Sequence, residues 1–147
     1  MKNSEYELAR KVLNLANQII INRNSHLKEL NLTAAQADSL YFIHAHSGCS
    51  ISDLKEYLHI SHQTARGIVM RLEEKGFIAL CVSKSDGRYK TLSLTDVGIE
   101  IVKRMKQNGT HTGYQLLKGM TVQEQQQFSE LTSRALKNIS REASHEK

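Results

Sequence analysis

Apolar residues recur with a helical period along most of this chain, and the pattern changes to a strand-like one only near the middle. Leu8, Val12, Leu15 and Ile19 stand at offsets 0, 4, 7 and 11, which makes them one stripe of a long helix reaching to about Leu30. Thr33 followed by Gln36 reads as a capping box, because the hydroxyl can cap a free amide of the first turn while the amide side chain reaches back. The helix that starts there is expected to carry Ala37, Leu40, Tyr41 and His44 on one side and to stop near Gly48. Ser50 with Asp53 opens a short third helix bearing Leu54, Tyr57 and Leu58, and Ser61 caps a fourth that ends at Gly76.

Beyond Gly76 the period shortens. FIALCVS and KTLSLT are rich in β-branched and apolar residues, and Asp86-Gly87 between them is a turn signal, so two strands in a hairpin are predicted. Thr95 can cap a fifth helix running through Ile101, Val102, Met105, Thr112 and Leu116. Thr121 with Glu124 is a further capping box, opening a sixth helix through Phe128, Leu131, Ala135 and Ile139.

The predicted order of three helices and a hairpin between long terminal helices has a mechanical reading, with the fourth helix in a DNA major groove and the hairpin reaching the neighbouring minor groove or backbone. Ala65, Ile68, Val69 and Leu72, at offsets 0, 3, 4 and 7, must face the core. The opposite face then presents His62, Gln63, Arg66, Gly67 and Met70, flanked by Thr64 and Arg71. Gln can pair with adenine and Arg with guanine through two hydrogen bonds each, and Ser61, Thr64 and His62 add shorter donors and acceptors. An ordinary amphipathic helix also has a solvated polar face, so position in the chain is what favours the DNA reading. Gly67 inside a helix costs roughly 1 kcal/mol relative to Ala, a loss that close approach to a phosphate or base would explain. Lys84, Arg88 and Lys90 bracket the hairpin turn. An arginine there suits the negative potential of a narrow minor groove, with Asp86 positioned to orient it, although a solvated turn fits the same spacing.

Composition agrees with this picture without deciding it. The chain has 147 residues, no Pro or Trp, 39% hydrophobic and 24% charged residues, and a formal charge of +5. One domain over 1–147 and a polyanionic partner are therefore expected, but an acidic protein or a membrane surface would also suit a basic chain. No apolar run approaches the roughly 20 residues of a spanning helix, and the first residues lack a signal-like apolar segment, which points to the cytoplasm and away from membranes. In that reducing compartment Cys49 and Cys81 are expected to be free thiols, buried and inert, in a turn and a strand. Residues 50–95 hold seven Lys or Arg and five Asp or Glu, so the lobe itself is only weakly basic and its affinity is expected to be modest and salt-sensitive.

The stretch SDLKEYLHISHQTARGIVMRLEEKGFI followed by SDGRYKTLSLTDVG resembles the MarR family of multiple-antibiotic-resistance-type regulators. The resemblance runs in helix order over nearly the whole chain. It is sharpest at Arg71-Leu72-Glu73, Lys75-Gly76-Phe77-Ile78, Asp86-x-Arg88, and Leu94-Thr95 with Gly98. It implies a mainly α (α+β) winged helix-turn-helix with a DNA-binding lobe at 33–95 and helical dimerisation regions at 1–30 and 96–142. It further implies a sequence-specific double-stranded DNA-binding transcription regulator, a ligand-responsive repressor acting as a homodimer on a pseudo-palindromic operator. Carried over by position, Arg88 is the minor-groove probe, Asp86 its orienting partner, and Ser61 through Arg66 the groove-facing turn. The expected switch is a small apolar or phenolic effector held between the dimer helices and the winged module. Two departures stand out: Gly87 occupies a position where many members have another Arg, and Lys55 one where a small Ala is frequent.

The alternatives are weaker. His44, His46 and Cys49 have metal-ligand chemistry, but residues two apart on a helix point about 200° apart, so no metal site is expected. No phosphate loop, H-E-x-x-H or nucleophile elbow is present, so neither catalysis nor a cofactor is expected. Some relatives sense oxidants through a cysteine in the first helix, which this chain lacks; thiol-based redox sensing and a winged-helix protein-interaction module remain as alternative functions. Gly109 and Gly113 fit either a close helix approach or a local helix break.

Overall fold

The computed structural model describes residues 2–82 and 90–145. Six helices and two strands follow in order: α1 (Lys2–Glu29), α2 (Ala34–Ala45), α3 (Ile51–Leu58), α4 (His62–Glu74), β1 (Ile78–Val82), β2 (Lys90–Leu94), α5 (Asp96–Leu117) and α6 (Val122–His145). This is the predicted mainly helical winged helix-turn-helix. Among the described residues no helix is long and apolar enough to cross a membrane. The chain forms two compact units, one up to Thr110 and one from His111 onward.

Local chemistry sets the boundaries in the first unit. Thr33 Oγ1 accepts from the Gln36 amide at 3.1 Å while Gln36 Oε1 accepts from the Thr33 amide at 3.2 Å, so two of the orphan donors at the start of α2 are satisfied reciprocally. Ser50 and Asp53 do the same for α3, at 3.1 and 2.9 Å. Between α3 and α4 the chain reverses through His59 in the left-handed region, φ 54°, with the His59 and Ile60 amides bonded back to Glu56 and Lys55. Gly76, at φ 79°, ends α4 where a side chain would be strained.

The core gathers one face of each element of the lobe. Leu40 and Ile43 of α2, Leu54 of α3, Leu72 of α4 and Leu92 of β2 are fully buried, joined by Leu27, Leu30 and Leu32 from the end of α1 and by Val102 of α5. Each such side chain contributes about 1.5–3 kcal/mol of transfer free energy. The buried side of α2 differs from the expected one. Tyr41 and His44 are exposed, and Gln36, Ser39 and Ile43 take the inner face with Ala37 and Leu40. Apolar residues surround α2, so packing against α3 and α4, not periodicity, selects the inner side.

β1 and β2 pair antiparallel, with Leu80 opposite Leu92 and Cys81 opposite Thr91. The sequence pattern missed a third segment of the ribbon: Cys49 bridges the other edge of β2, its carbonyl accepting from the Leu92 amide at 2.7 Å while Gly48 donates to the Leu92 carbonyl at 2.9 Å. The turn after α2 is thereby tied to the base of the ribbon.

In the second unit, Gly119 (φ 82°) turns the chain and Thr121 with Glu124 forms the expected capping box for α6, at 3.1 and 3.0 Å. Along α6, Leu131, Leu136 and Ile139 are 58, 66 and 70% exposed.

Candidate nucleic-acid interface

Helix α4 is oriented by its own apolar stripe. Ala65, Val69 and Leu72 are buried and Ile68 is half-buried, which leaves the opposite side no choice but solvent. His62, Gln63, Thr64, Arg66, Gly67, Met70 and Arg71 are all exposed. The four core positions and the complementary polar face therefore lie as expected.

The start of α4 is organised around Ser61. Its Oγ accepts from the Thr64 amide at 3.1 Å and donates to Thr64 Oγ1 at 2.8 Å. Ser61 thus spends its hydroxyl on the cap, and Thr64 keeps a hydroxyl proton that can point outward. No acidic residue occupies the first turn of α4, so the positive end of the helix dipole there is not neutralised, a condition that attracts phosphate.

The polar face divides into two stripes. His62, Arg66, Met70 and Glu73 line a cleft of about 570 Å³ together with Ser50 and Ser52 from the start of α3 and Leu80 and Lys90 from the ribbon. The structure thus brings three of the sequence-derived candidates, His62, Arg66 and Lys90, to one concave surface. Gln63, Gly67 and Arg71 lie on the other side of the helix face and do not line it. Ser50, Ser52 and Glu73 were not expected at this surface; the cap signal at Ser50 fixed the start of α3 but not what it faces. A Cβ built on Gly67 meets nothing within 4 Å, so packing inside the chain does not require a glycine there. Lys84, Asp86 and Arg88, the predicted tip of the hairpin, lie outside the described residues.

The remaining candidates separate from this surface. His46 stacks on Phe42 with ring centroids 4.5 Å apart, its Nδ1 lies 3.2 Å from the Phe42 carbonyl oxygen, and Tyr57 also stacks on the Phe42 ring at 4.5 Å. Among the described residues no three His, Cys, Asp or Glu side chains gather as a metal site. Cys49 is buried, and burial followed by the nearby Asp53 carboxylate pushes its thiol pKa up, which favours the unreactive protonated form. Cys81 corrects the expectation of two buried thiols: it is exposed, because burial along β1 falls away from Ile78 toward Val82 as the ribbon leaves the core.

The sequence and fold have clear counterparts. Residues 30–88 match the model of the MarR family. The HTH-type transcriptional regulator YybA of Bacillus subtilis (strain 168) is 29% identical over 119 residues, covering 81% of this chain and 79% of that protein. The HTH-type transcriptional repressor IacR of Pseudomonas putida is 24% identical over 113 residues, covering 77% and 68%. Among solved structures, the transcriptional regulator SlyA superposes with a TM-score of 0.74 at 25% identity, over 95% of this chain and 99% of that one.

Proposed function

This chain belongs to the MarR family of DNA-binding transcriptional regulators, and from that premise we propose that it is a homodimeric repressor that reads a pseudo-palindromic operator with the exposed face of α4. In this reading Gln63 and Arg66 contact base edges in the major groove, Ser61, His62 and Thr64 fix the start of the helix against the backbone, and Gly67 allows close approach. Arg71 and Lys90 neutralise phosphates, while Lys84 and Arg88, oriented by Asp86, follow the backbone into the adjacent minor groove. The observation that carries the reading is the donor-rich exposed face of α4, free of acidic residues in its first turn and sharing a cleft with Lys90. Repression follows the similarity to IacR, named as a repressor.

A second copy is called for by what the single chain leaves uncovered. Leu8, Val12 and Leu15 in α1 and Leu131, Leu136 and Ile139 in α6 are exposed, an amount of apolar surface that soluble monomers seldom carry in stripes. Lobe 33–95 then serves as the DNA-binding part and 1–30 with 96–142 as the dimerisation part of one domain. A small apolar or phenolic effector bound between them would act by favouring a dimer whose reading helices are wrongly spaced. Calorimetry with candidate phenols, with and without operator, reads that coupling; an affinity indifferent to DNA would remove it.

Selection of bound fragments from a random duplex pool returns the half-site and its spacing together. On the selected fragment, Gln63→Ala and Arg66→Ala each relax preference at particular base pairs by about 1–3 kcal/mol, and Arg88→Ala weakens binding to most sequences and lowers the salt slope. If all three substitutions left binding unchanged, the assigned reading surface would be wrong.

A further inference from the structure

The three residues that follow α4 carry more structural connections than their place in a turn requires. Lys75 Nζ donates to the carbonyl of Asn31, at the end of α1, and to Gln36 Oε1 at 3.1 Å. Gln36 is the same residue that closes the capping box of α2, and it is 6% exposed. The Gly76 carbonyl accepts from the Thr95 hydroxyl at 2.6 Å, and the Phe77 carbonyl accepts from the Thr95 amide at 3.0 Å. Thr95 Oγ1 in turn accepts from the Gly98 amide at 3.1 Å, capping α5. The first turn of α5 presses so closely on this turn that a Cβ at Gly98 would stand 2.0 Å from the Phe77 carbonyl oxygen.

Lys75, Gly76 and Phe77 thus join the end of α1, the start of α2 and the start of α5 to one end of α4. The residues assigned to base reading, Gln63 and Arg66, lie toward the other end. At about 1.5 Å per residue the helix is a lever roughly 20 Å long, so a pivot of about 10° at the turn displaces its far end by about 3 Å. Recognition tolerates only about 0.5 Å of such error.

The geometry points to Lys75 and Thr95 as positioning residues for DNA recognition: they hold the pose of α4 from its far end and do not touch DNA themselves. The inference rests on the reading of α4 as the recognition helix. It accounts for residues that DNA contact leaves unexplained, since the Lys75 ammonium is committed to two oxygens of its own chain and the Thr95 hydroxyl donates to the Gly76 carbonyl and accepts from the Gly98 amide. A phosphate-binding lysine would instead leave its ammonium free to solvent.

The test is equilibrium binding of the intact chain to its selected operator and to random duplex of equal length over a salt series, for wild type, Lys75→Met, Thr95→Val, Thr95→Ser and Arg66→Ala, below the melting temperature of each. Lys75→Met and Thr95→Val are expected to lower the operator-to-random ratio by about tenfold, with random-duplex affinity and salt slope within about twofold of wild type. Thr95→Ser, which keeps the hydroxyl, retains the ratio. An unchanged ratio in folded Lys75→Met and Thr95→Val would overturn the assignment. So would a fall in random-duplex binding with a shallower slope in Lys75→Met, which would make Lys75 a phosphate contact. A loss of preference in Arg66→Ala alone would leave the reading surface standing while removing the positioning role, and a wild type without preference would remove the reading on which that role rests.

Discussion

The winged lobe and the terminal helices use the same apolar residue types in opposite ways. In the lobe Leu40, Ile43, Leu54, Leu72 and Leu92 are wholly enclosed by other parts of the same chain, whereas Leu8 and Val12 in α1 and Leu136 and Ile139 in α6 are more than half exposed. The core of the lobe is therefore completed within one chain, by its own elements together with Leu27, Leu30 and Leu32 from the end of α1 and Val102 of α5. The helices present comparable side chains at helical spacing that stay exposed, and the hydrophobic effect per unit of area is as large for a second copy as for an intramolecular neighbour. Intramolecular burial builds the reading head, and intermolecular burial would set the distance between two such heads.

The largest expected effect lies in the lobe. Leu72→Ala should destabilise it by about 2–5 kcal/mol through lost transfer energy and a residual cavity, with a melting shift readable by circular dichroism. Leu136→Ala, on the exposed stripe of α6, should act instead through association, so that its melting temperature depends on protein concentration more steeply than that of wild type. If the two variants behaved alike, the division into a core completed within one chain and helices that depend on a partner would fail.

Gly67→Ala probes the lobe's surface rather than its core. With no atom within 4 Å of the added Cβ, the gain in helix propensity should raise stability by about 1 kcal/mol, while duplex binding weakens because the methyl occupies space on the reading face. Higher stability with undiminished binding would show that the backbone does not approach DNA there.

The smallest effect is expected at the start of α6. Hydrogen bonds from the Thr121 amide and then from the Thr121 side chain hold the Glu124 carboxyl below the usual glutamate range. A depressed carboxylate stabilises the fold above its unfolded pKa, and that contribution is lost as pH falls through the folded value. Acid titration should show slightly greater loss of α6 helicity in wild type than in Glu124→Gln, whose amide keeps the cap at all pH values; equal acid loss in both would deny the carboxylate this role.

What the sequence revealed follows the range of the interactions involved. The capping boxes at Thr33, Ser50 and Thr121 were legible because cap and partner lie three residues apart, and the faces of α4 because its apolar stripe is narrow. The inner side of α2 was not, since apolar residues surround that helix and only its neighbours decide which are covered. Cys81 looked buried because strand periodicity does not say how far a ribbon extends past the core. The isolated bridge from Cys49 to Leu92 and the linkage from Lys75 to Asn31 span 43 and 44 positions of sequence, and no local pattern encodes them. The candidate site divides likewise: His62, Gln63, Thr64, Arg66 and Arg71 could be placed on the exposed face from helical spacing alone, while the shared cleft of His62, Arg66 and Lys90 depends on how the ribbon folds back beside α4.

Light scattering of the intact chain across a concentration series tests the central claim, that its ends are completed by a second copy, most directly. The account predicts a mass twice the 16.7 kDa of one chain, falling toward the single-chain value when Leu136 and Ile139 are both replaced by Glu. A mass of one chain at every concentration, in a protein that still binds its operator with full preference, would contradict it.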